Sequence, residues 1–326
     1  MKWIFIFGLV VSQTRRCSNS LISLVSCWSY HNQDGSCPAD DVSLWFYSTY
    51  NRQGIQITHA NMSLLPVIPH APWKILFHGF LESKDGSFNA ELRKAYFAFS
   101  NYNIISVHAP KAFMSNGFFP TDVLCYETAA SVNLDLVGRC VAEQLGRLIL
   151  AQVIPTPERL HFVGHSLGAH AAADASVRLR LQGLGTIYRL TGLDPAGPSF
   201  HKNSKDPLLM IDPSDATFID AYHTNGGETD TAFPDVTKLD DFRFGIGYNV
   251  GTVDIWFNGG TIQPGCFTAV VRNICSHMQA INYYAESIQF QSNFFGYSES
   301  GNPVLLGEHM STALRGVFNV TTHFNP

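Results

Sequence analysis

Between Glu158 and Leu179 the chain reads ERLHFVGHSLGAHAAADASVRL. A short apolar run, Leu160 to Val163, ends at Gly164; Ser166 follows, and Gly168 leads into an alanine-rich run. Few folds accept a serine with glycine two residues away on each side, just where a strand gives way to a helix. The serine must stand on a tight, strained turn that lifts its hydroxyl clear of the sheet. Side chains at 164 and 168 would collide with the neighbouring strand and helix, and glycine has none. The helix that follows aims the positive end of its dipole at the same point. Ala169, Ala171, Ala172 and Ala173 let that helix lie close to the sheet.

The rest of the chain fits the same architecture. Candidate strands are Val42–Tyr47, Trp73–Phe77, Asn103–His108, Leu160–Val163, Ile187–Leu193, Phe218–His223 and Val253–Phe257. Candidate helices are Phe88–Phe99, Thr128–Ile154, Leu167–Gln182 and His277–Ile288. Strand and helix in alternation argue for an α/β fold, a mostly parallel central sheet flanked by helices. After Gln289 the chain is rich in Gly, Asn, Ser and Phe, with one last apolar piece near Val317 and Phe318, and no second domain is expected there. Hydrophobic residues make up 45% of the 326, enough to fill a large core. The net charge of −5 provides no basic footprint for nucleic acid.

A serine hydroxyl needs a base to take its proton, and the base needs an acid to orient it. In this type of sheet both come later in the chain, acid first. The strand at 187–193 runs into Asp194-Pro195-Ala196-Gly197, which places Asp194 at a strand's C-terminal end on a proline turn. On order alone Asp212, Asp215, Asp220 and Asp254 are rivals. Among His201, His223, His277, His309 and His323, His277 stands out because it follows Cys275-Ser276 and opens a helix. An oxyanion hole needs backbone N–H donors. Leu167, next after the serine, supplies one; Phe80, in the His78-Gly79-Phe80 turn that follows an early strand, supplies the other. His161, His165 and His170 are scattered across the strand–turn–helix break, which suits surface or packing roles rather than a metal, and no metal or other cofactor is expected.

Met1-Lys2 and the apolar run Trp3–Val11 look like a secretory signal peptide, too short to cross a bilayer. Residues 1–26 are therefore read as signal peptide and leader, and 27–326 as a single domain. With Cys17 in the leader, six cysteines remain. Cys27 with Cys37, and Cys266 with Cys275, are close enough to close small loops. That leaves Cys125 with Cys140, which a continuous helix would hold about 22 Å apart at roughly 1.5 Å per residue; the pairing needs a bent segment. Asn61 and Asn319 head glycosylation tripeptides for a chain on the secretory route.

HGF at 78–80, VGHSLGAH at 163–170, TGLDPAGP at 191–198, IDPSDATFIDAYHT at 211–224, NGGTIQPGC at 258–266 and CSH at 275–277 together resemble the pancreatic lipase family, in the family's order over about 200 residues. The resemblance implies an α/β-hydrolase fold and a secreted esterase, of the insect single-domain type, acting on lipids at a membrane, micelle or droplet surface. By position it makes Ser166 nucleophile, Asp194 acid and His277 base, places the oxyanion hole at the Phe80 and Leu167 amides, and makes Cys266–Cys275 the disulfide that closes the lid. Three departures bear on substrate. The chain ends where the family's C-terminal β-sandwich would start, so no colipase is expected. The lid, FTAVVRNI, has only eight residues, which in this family goes with phospholipase A1 activity or with weak interfacial activation, so the ester hydrolysed is expected to be triacylglycerol or phospholipid. The segment from Asn225 to Phe244 is instead longer than its pancreatic counterpart, the opposite cue. At the family's calcium position Asp212 and Asp215 match two carboxylates, while Met210 and Pro207 fall where further ligands belong; two carboxylates are too few for a calcium ion. A non-catalytic lipid-binding or yolk-storage protein of the same fold is the alternative.

Overall fold

The computed structural model describes residues 27, 29, 36, 37, 39, 41–114, 125–200, 209–227, 243–266, 269–289, 295–298 and 301–322. The leader expected over 1–26, Cys17 with it, and most of the 225–244 segment lie outside them. Strands are β1 (Ser43–Ser48), β2 (Asn51–Gln56), β3 (Trp73–Phe77), β4 (Asn103–His108), β5 (Leu160–His165), β6 (Arg189–Leu193), β7 (Phe218–His223), β8 (Gly226–Gly227), β9 (Gly245–Ile246), β10 (Val253–Phe257), β11 (Phe295–Ser298), β12 (Pro303–Leu305) and β13 (Gly316–Val320). Long helices are α1 (Ser87–Phe99), α2 (Leu134–Leu150), α3 (Leu167–Leu181) and α4 (Ala269–Gln289). Apart from a small parallel β8–β9 pair, the strands form one sheet in the order β12-β11-β13-β10-β7-β6-β5-β3-β4-β1-β2. The run from β4 to β13 is parallel, with antiparallel strands at both ends. This is the mostly parallel, helix-flanked sheet of an α/β-hydrolase.

The core sits on both faces because side chains alternate along each strand. Ile75, Phe77 and Phe162 join one apolar cluster with α2 and α3. Leu76 and Val163 point the other way, into a cluster with α1 and α4. On the first face Gly138 of α2 lets α3 approach: a Cβ there would lie 1.9 Å from Asp174 Oδ2.

The structure departs from the sequence reading in several places. β2 is a strand that the sequence reading lacks, and the helix expected to open at His277 begins at Ala269, so that His277 lies inside it. The helix expected over Thr128–Ile154 runs without a gap from Tyr126 to Leu150, but passes through a π-helical turn at Ala129–Asn133 before it continues as α2. Past Gln289 the chain adds three strands to the sheet, with β12 at its edge and β11 between β12 and β13; β11 and β12 do not stand out in the sequence, because these short strands are held by their backbone ladders and leave most of their side chains at least partly exposed. Most important, Cys27 does not pair with Cys37. Cys27 bonds Cys125 and Cys37 bonds Cys140, with Cα–Cα separations of 5.4 and 5.2 Å. Closeness along the chain misled because closure entropy grows only logarithmically with loop length, so geometry decides. Cys125 and Cys140 are held apart by the helical segment, and each takes a cysteine from the N-terminal stretch of chain laid against it. Cys266 bonds Cys275, Cα–Cα 5.6 Å.

Candidate active site

Pairing registers bring the ends of β3, β5, β6 and β7 to one edge: Phe77 faces Gly164, His165 faces Leu193, and Leu193 faces Tyr222. The loops that leave these strands carry the site. Ser166 turns the chain with φ 55° and ψ −124°, a conformation an L-residue adopts only when its surroundings hold it there. The glycines make the turn fit. A Cβ at Gly164 would lie 2.4 Å from Gly168 O, and one at Gly168 only 2.1 Å from Phe77 O. The Ser166 amide donates to Leu193 O at 3.1 Å, tying the turn to β6. Leu167 opens α3, so its amide has no carbonyl a turn earlier to bond.

Asp194 follows β6 with φ 42° and is fully buried. Its Oδ1 accepts from the amides of Thr224 (2.8 Å) and Asn225 (3.0 Å), both just past β7. Its Oδ2 accepts from His277 Nδ1 at 2.6 Å. Space for the carboxylate exists because residue 245 is glycine: a Cβ there would meet Asp194 Oδ1 at 2.4 Å. His277 sits in α4, two residues beyond the Cys266–Cys275 bridge, with its ring stacked on Phe244 (5.4 Å) and tilted against His165 (4.6 Å). The loop of Phe80 runs beside the serine: a Cβ on Gly79 would be 3.0 Å from Ser166 Cβ. That loop is braced by the Phe80 ring against Tyr126 (5.2 Å) and by His78, whose Nε2 accepts from the Ala109 amide at 3.1 Å. Burial pushes His78 down to about 4, so it is neutral and can accept.

The rivals are occupied elsewhere. Asp220 is bidentate with Arg189 and accepts from Thr191. His223 and Asp254 make a second buried pair at 2.8 Å, but Asp254 caps the turn at Val250 and Gly251, and His223 stacks on Trp256. Asp212 and Asp215 spend carboxylate oxygens on the Ser214 and Asp212 amides of their own turn. His309 bonds Ile288 O. His201, His323, Pro207 and lid residues Phe267 and Thr268 lie outside the described residues. Asn319 is exposed on β13; Asn61 is half-buried, with Nδ2 on Gln56 O at 2.9 Å.

Sequence reasoning passed over four neighbours: Glu82, Asn225, Phe244 and Gly245. Asn225 is the most connected, with its side chain bonding the Phe244 amide, Thr261 O and Asn273 Oδ1. Its place directly after the matched stretch at 211–224 was the available signal. Of the three histidines read as surface or packing residues, His161 bonds Lys74 and Thr191, and His170 bridges Ala196 O and the Ile211 amide. His165 packs its ring against that of His277.

Comparison with known proteins adds a family. A family model described as Lipase matches residues 41–303. A pancreatic lipase-related protein 2 from Cavia porcellus is 35% identical over 233 residues, covering 69% of this chain and 45% of that protein. A pancreatic triacylglycerol lipase from Homo sapiens is 33% identical over 239 residues, 69% of this chain and 46% of the relative. A phospholipase A1 from Vespa crabro is 30% identical over 257 residues, 79% of this chain and 78% of that protein. The chain thus spans about half the length of the pancreatic relatives it matches. A bacterial esterase/lipase structure aligns with 14% identity over 56% of this chain and 65% of its own, at a TM-score of 0.33.

Proposed function

Since this chain belongs to the lipase family, we propose that it hydrolyses carboxylic esters of lipids, with Ser166 as nucleophile, His277 as base and Asp194 as acid. The 2.6 Å contact between Asp194 Oδ2 and His277 Nδ1, beside a strained serine turn, carries the proposal. The carboxylate, held by two backbone amides, fixes the tautomer with Nδ1 protonated and leaves Nε2 to take the serine proton. Ser166 Oγ attacks the ester carbonyl, and the Phe80 and Leu167 amides receive the oxyanion. The imidazolium returns its proton to the departing alcohol, leaving an acyl-serine. Water, deprotonated by the same ring, then releases the fatty acid and restores the hydroxyl.

Phospholipid is the substrate class favoured here. The segment between Cys266 and Cys275 is eight residues long, too short to roof a wide cleft. The Vespa crabro relative, which matches over most of both chains, carries the name phospholipase A1. Disulfides joining Cys27 to Cys125 and Cys37 to Cys140 support an oxidising, secreted destination. They also bind the chain from residue 27 onward to the folded body, which suits a leader over 1–26 and one domain over 27–326. The decisive experiment incubates the secreted protein with a fluorophosphonate and then with phosphatidylcholine and long-chain triacylglycerol. Labelling at Ser166 with release of fatty acid from phospholipid is expected; an unlabelled serine with no release from either lipid would point to the non-catalytic alternative.

A further inference from the structure

We propose that His165 is a positioning residue for the base: its ring locks His277 to the serine turn and to the oxyanion loop. The inference rests on the reading of Ser166, Asp194 and His277 as a catalytic triad. His165 is the last residue of β5, bonded directly to Ser166, and it is buried. Its Nε2 lies 3.4 Å from the carbonyl oxygen of His277, a long hydrogen bond, and its ring lies 4.6 Å from the His277 ring. The same ring is stacked over Phe88 of α1 at 6.1 Å. One edge faces the oxyanion loop, close enough that a Cβ on Gly79 would come within 3.3 Å of His165 Nδ1. A single residue therefore joins the three elements whose relative position sets the reaction geometry: it is bonded to the nucleophile turn, its ring packs on the base, and one edge of it faces the loop of the oxyanion donor.

The tautomer follows from the partners. To donate to the His277 carbonyl, Nε2 must carry the proton, so Nδ1 presents a lone pair. Facing it at 3.9 Å is Glu82 Oε2, also an acceptor, and neither atom has a hydrogen-bond partner among the described residues. Glu82 cannot simply turn away, because its Oε1 accepts from the Ser87 hydroxyl (2.7 Å) and the Phe88 amide (3.3 Å) at the start of α1. A carboxylate so placed pulls a proton toward Nδ1, against the tautomer that holds His277. Burial keeps His165 neutral, down to about 4, so one proton is shared between two claims. Glutamine at position 82 would end the competition: its carbonyl can keep the α1 contacts while its amide donates to Nδ1.

The test uses the full secreted chain and a water-soluble ester, p-nitrophenyl butyrate, with Ser166 labelling by a fluorophosphonate as a parallel readout. His165→Leu removes the donor at similar volume; His165→Gln keeps a donor of comparable reach. His165→Leu is expected to lower kcat about 10- to 100-fold, the size that a misplacement of about an ångström produces, with KM within about threefold, and His165→Gln to recover most of the loss. Glu82→Gln is expected to keep kcat at or above that of the wild type, and this arm remains decisive if His165→Leu does not fold. The proposal is overturned if His165→Leu turns over at the wild-type rate, if glutamine at 165 is no better than leucine, or if Glu82→Gln loses as much as His165→Leu. Stoichiometric labelling of wild-type Ser166 in those cases leaves the triad standing and sinks only the role of His165; a wild-type serine that does not react sinks both.

Discussion

Asp194 meets His277 at 2.6 Å because two distant segments were each left room to do so: the carboxylate is held by the Thr224 and Asn225 amides, and Gly245 has no side chain where that carboxylate lies. In the proposed triad the pair acts as a unit with Ser166, so single losses should be nearly as damaging as combined ones. Ser166→Ala is expected to reduce turnover at least about a thousandfold with the fold intact, since a hydroxyl at the turn is no packing element. Asp194→Asn and His277→Ala should each inactivate, and adding either to Ser166→Ala should change little. Initial rates with a soluble ester, alongside circular dichroism, decide this. If Asp254→Asn proved more damaging than Asp194→Asn in a folded protein, the buried His223–Asp254 pair would be the one to pursue.

Gly245→Ala tests the acid from the side. The added Cβ would lie 2.4 Å from Asp194 Oδ1 and 2.7 Å from Oδ2, so either β9 or the carboxylate must move. Overpacking of this kind costs roughly 1–3 kcal/mol, and the displaced carboxylate should cost activity as well. A thermal melt and kcat on the same sample are expected to fall together; unchanged activity would mean that the aspartate has slack that the geometry denies.

The parallel sheet and the serine turn were legible in the sequence, because each follows from a local rule; Asp194 and His277 stood out as candidates by their places after a strand and a cysteine, and the family resemblance chose them over their rivals. Gly164 and Gly168 announce a turn that excludes side chains, and apolar runs announce buried strands. What was not legible depends on distant pairing. β2, NRQGIQ, is too polar to read as a strand and exists because β1 offers it a ladder. The same holds for Glu82 and for the four cysteines of the two long-range bridges: nothing in the residues around Cys37 says that its partner is Cys140.

Disulfide mapping checks that last point directly. Peptides from unreduced protein should show Cys27–Cys125, Cys37–Cys140 and Cys266–Cys275. Replacing both Cys37 and Cys140 by Ser should lower stability by about 2–4 kcal/mol, read from urea midpoints at constant slope. A Cys27–Cys37 peptide in the native protein would refute the assignment.

Asp215 is expected to leave a signature in stability against pH. Burial pushes its carboxyl up from 3.8 to about 7, against the opposing Asp212 amide. A carboxyl raised on folding binds its proton more tightly in the folded state, so its contribution is complete below pH 3.8 and is lost as pH rises through about 7. His170 works in the opposite sense. Burial pushes it down from 6.5 to about 4, so its contribution is present above 6.5 and is lost as pH falls toward 4. The difference between Asp215→Asn and the wild type isolates the carboxyl. The variant should gain relative stability steadily from pH 4 to 7, by at most about 4 kcal/mol at roughly 1.4 kcal/mol per pH unit. A flat difference across that range would show that Asp215 stays ionised in the folded protein.

The lid segment sets the last expectation, the response to an interface. A lid swings open when burying its apolar inner face in lipid offsets the contacts it leaves. Between Cys266 and Cys275 the chain has five apolar residues, Phe267, Ala269, Val270, Val271 and Ile274, and burying a large apolar side chain contributes roughly 1.5–3 kcal/mol. The contacts to be left are considerable. From Ala269 onward the segment is already part of α4, and the disulfide closes both ends. Asn273 is buried, with Oδ1 accepting from Arg243 (2.7 Å) and Asn225 (3.1 Å), the same Asn225 whose amide holds Asp194. Pulling the segment out would therefore break a buried polar network joined to the acid, and the small apolar gain does not favour it. The rate is expected to rise smoothly with phospholipid concentration through its aggregation threshold, and Asn273→Ala should introduce curvature there by loosening the anchor. A sharp rate jump at the threshold in the wild type, with triacylglycerol strongly preferred, would show that a larger cover moves than the eight residues between the two cysteines.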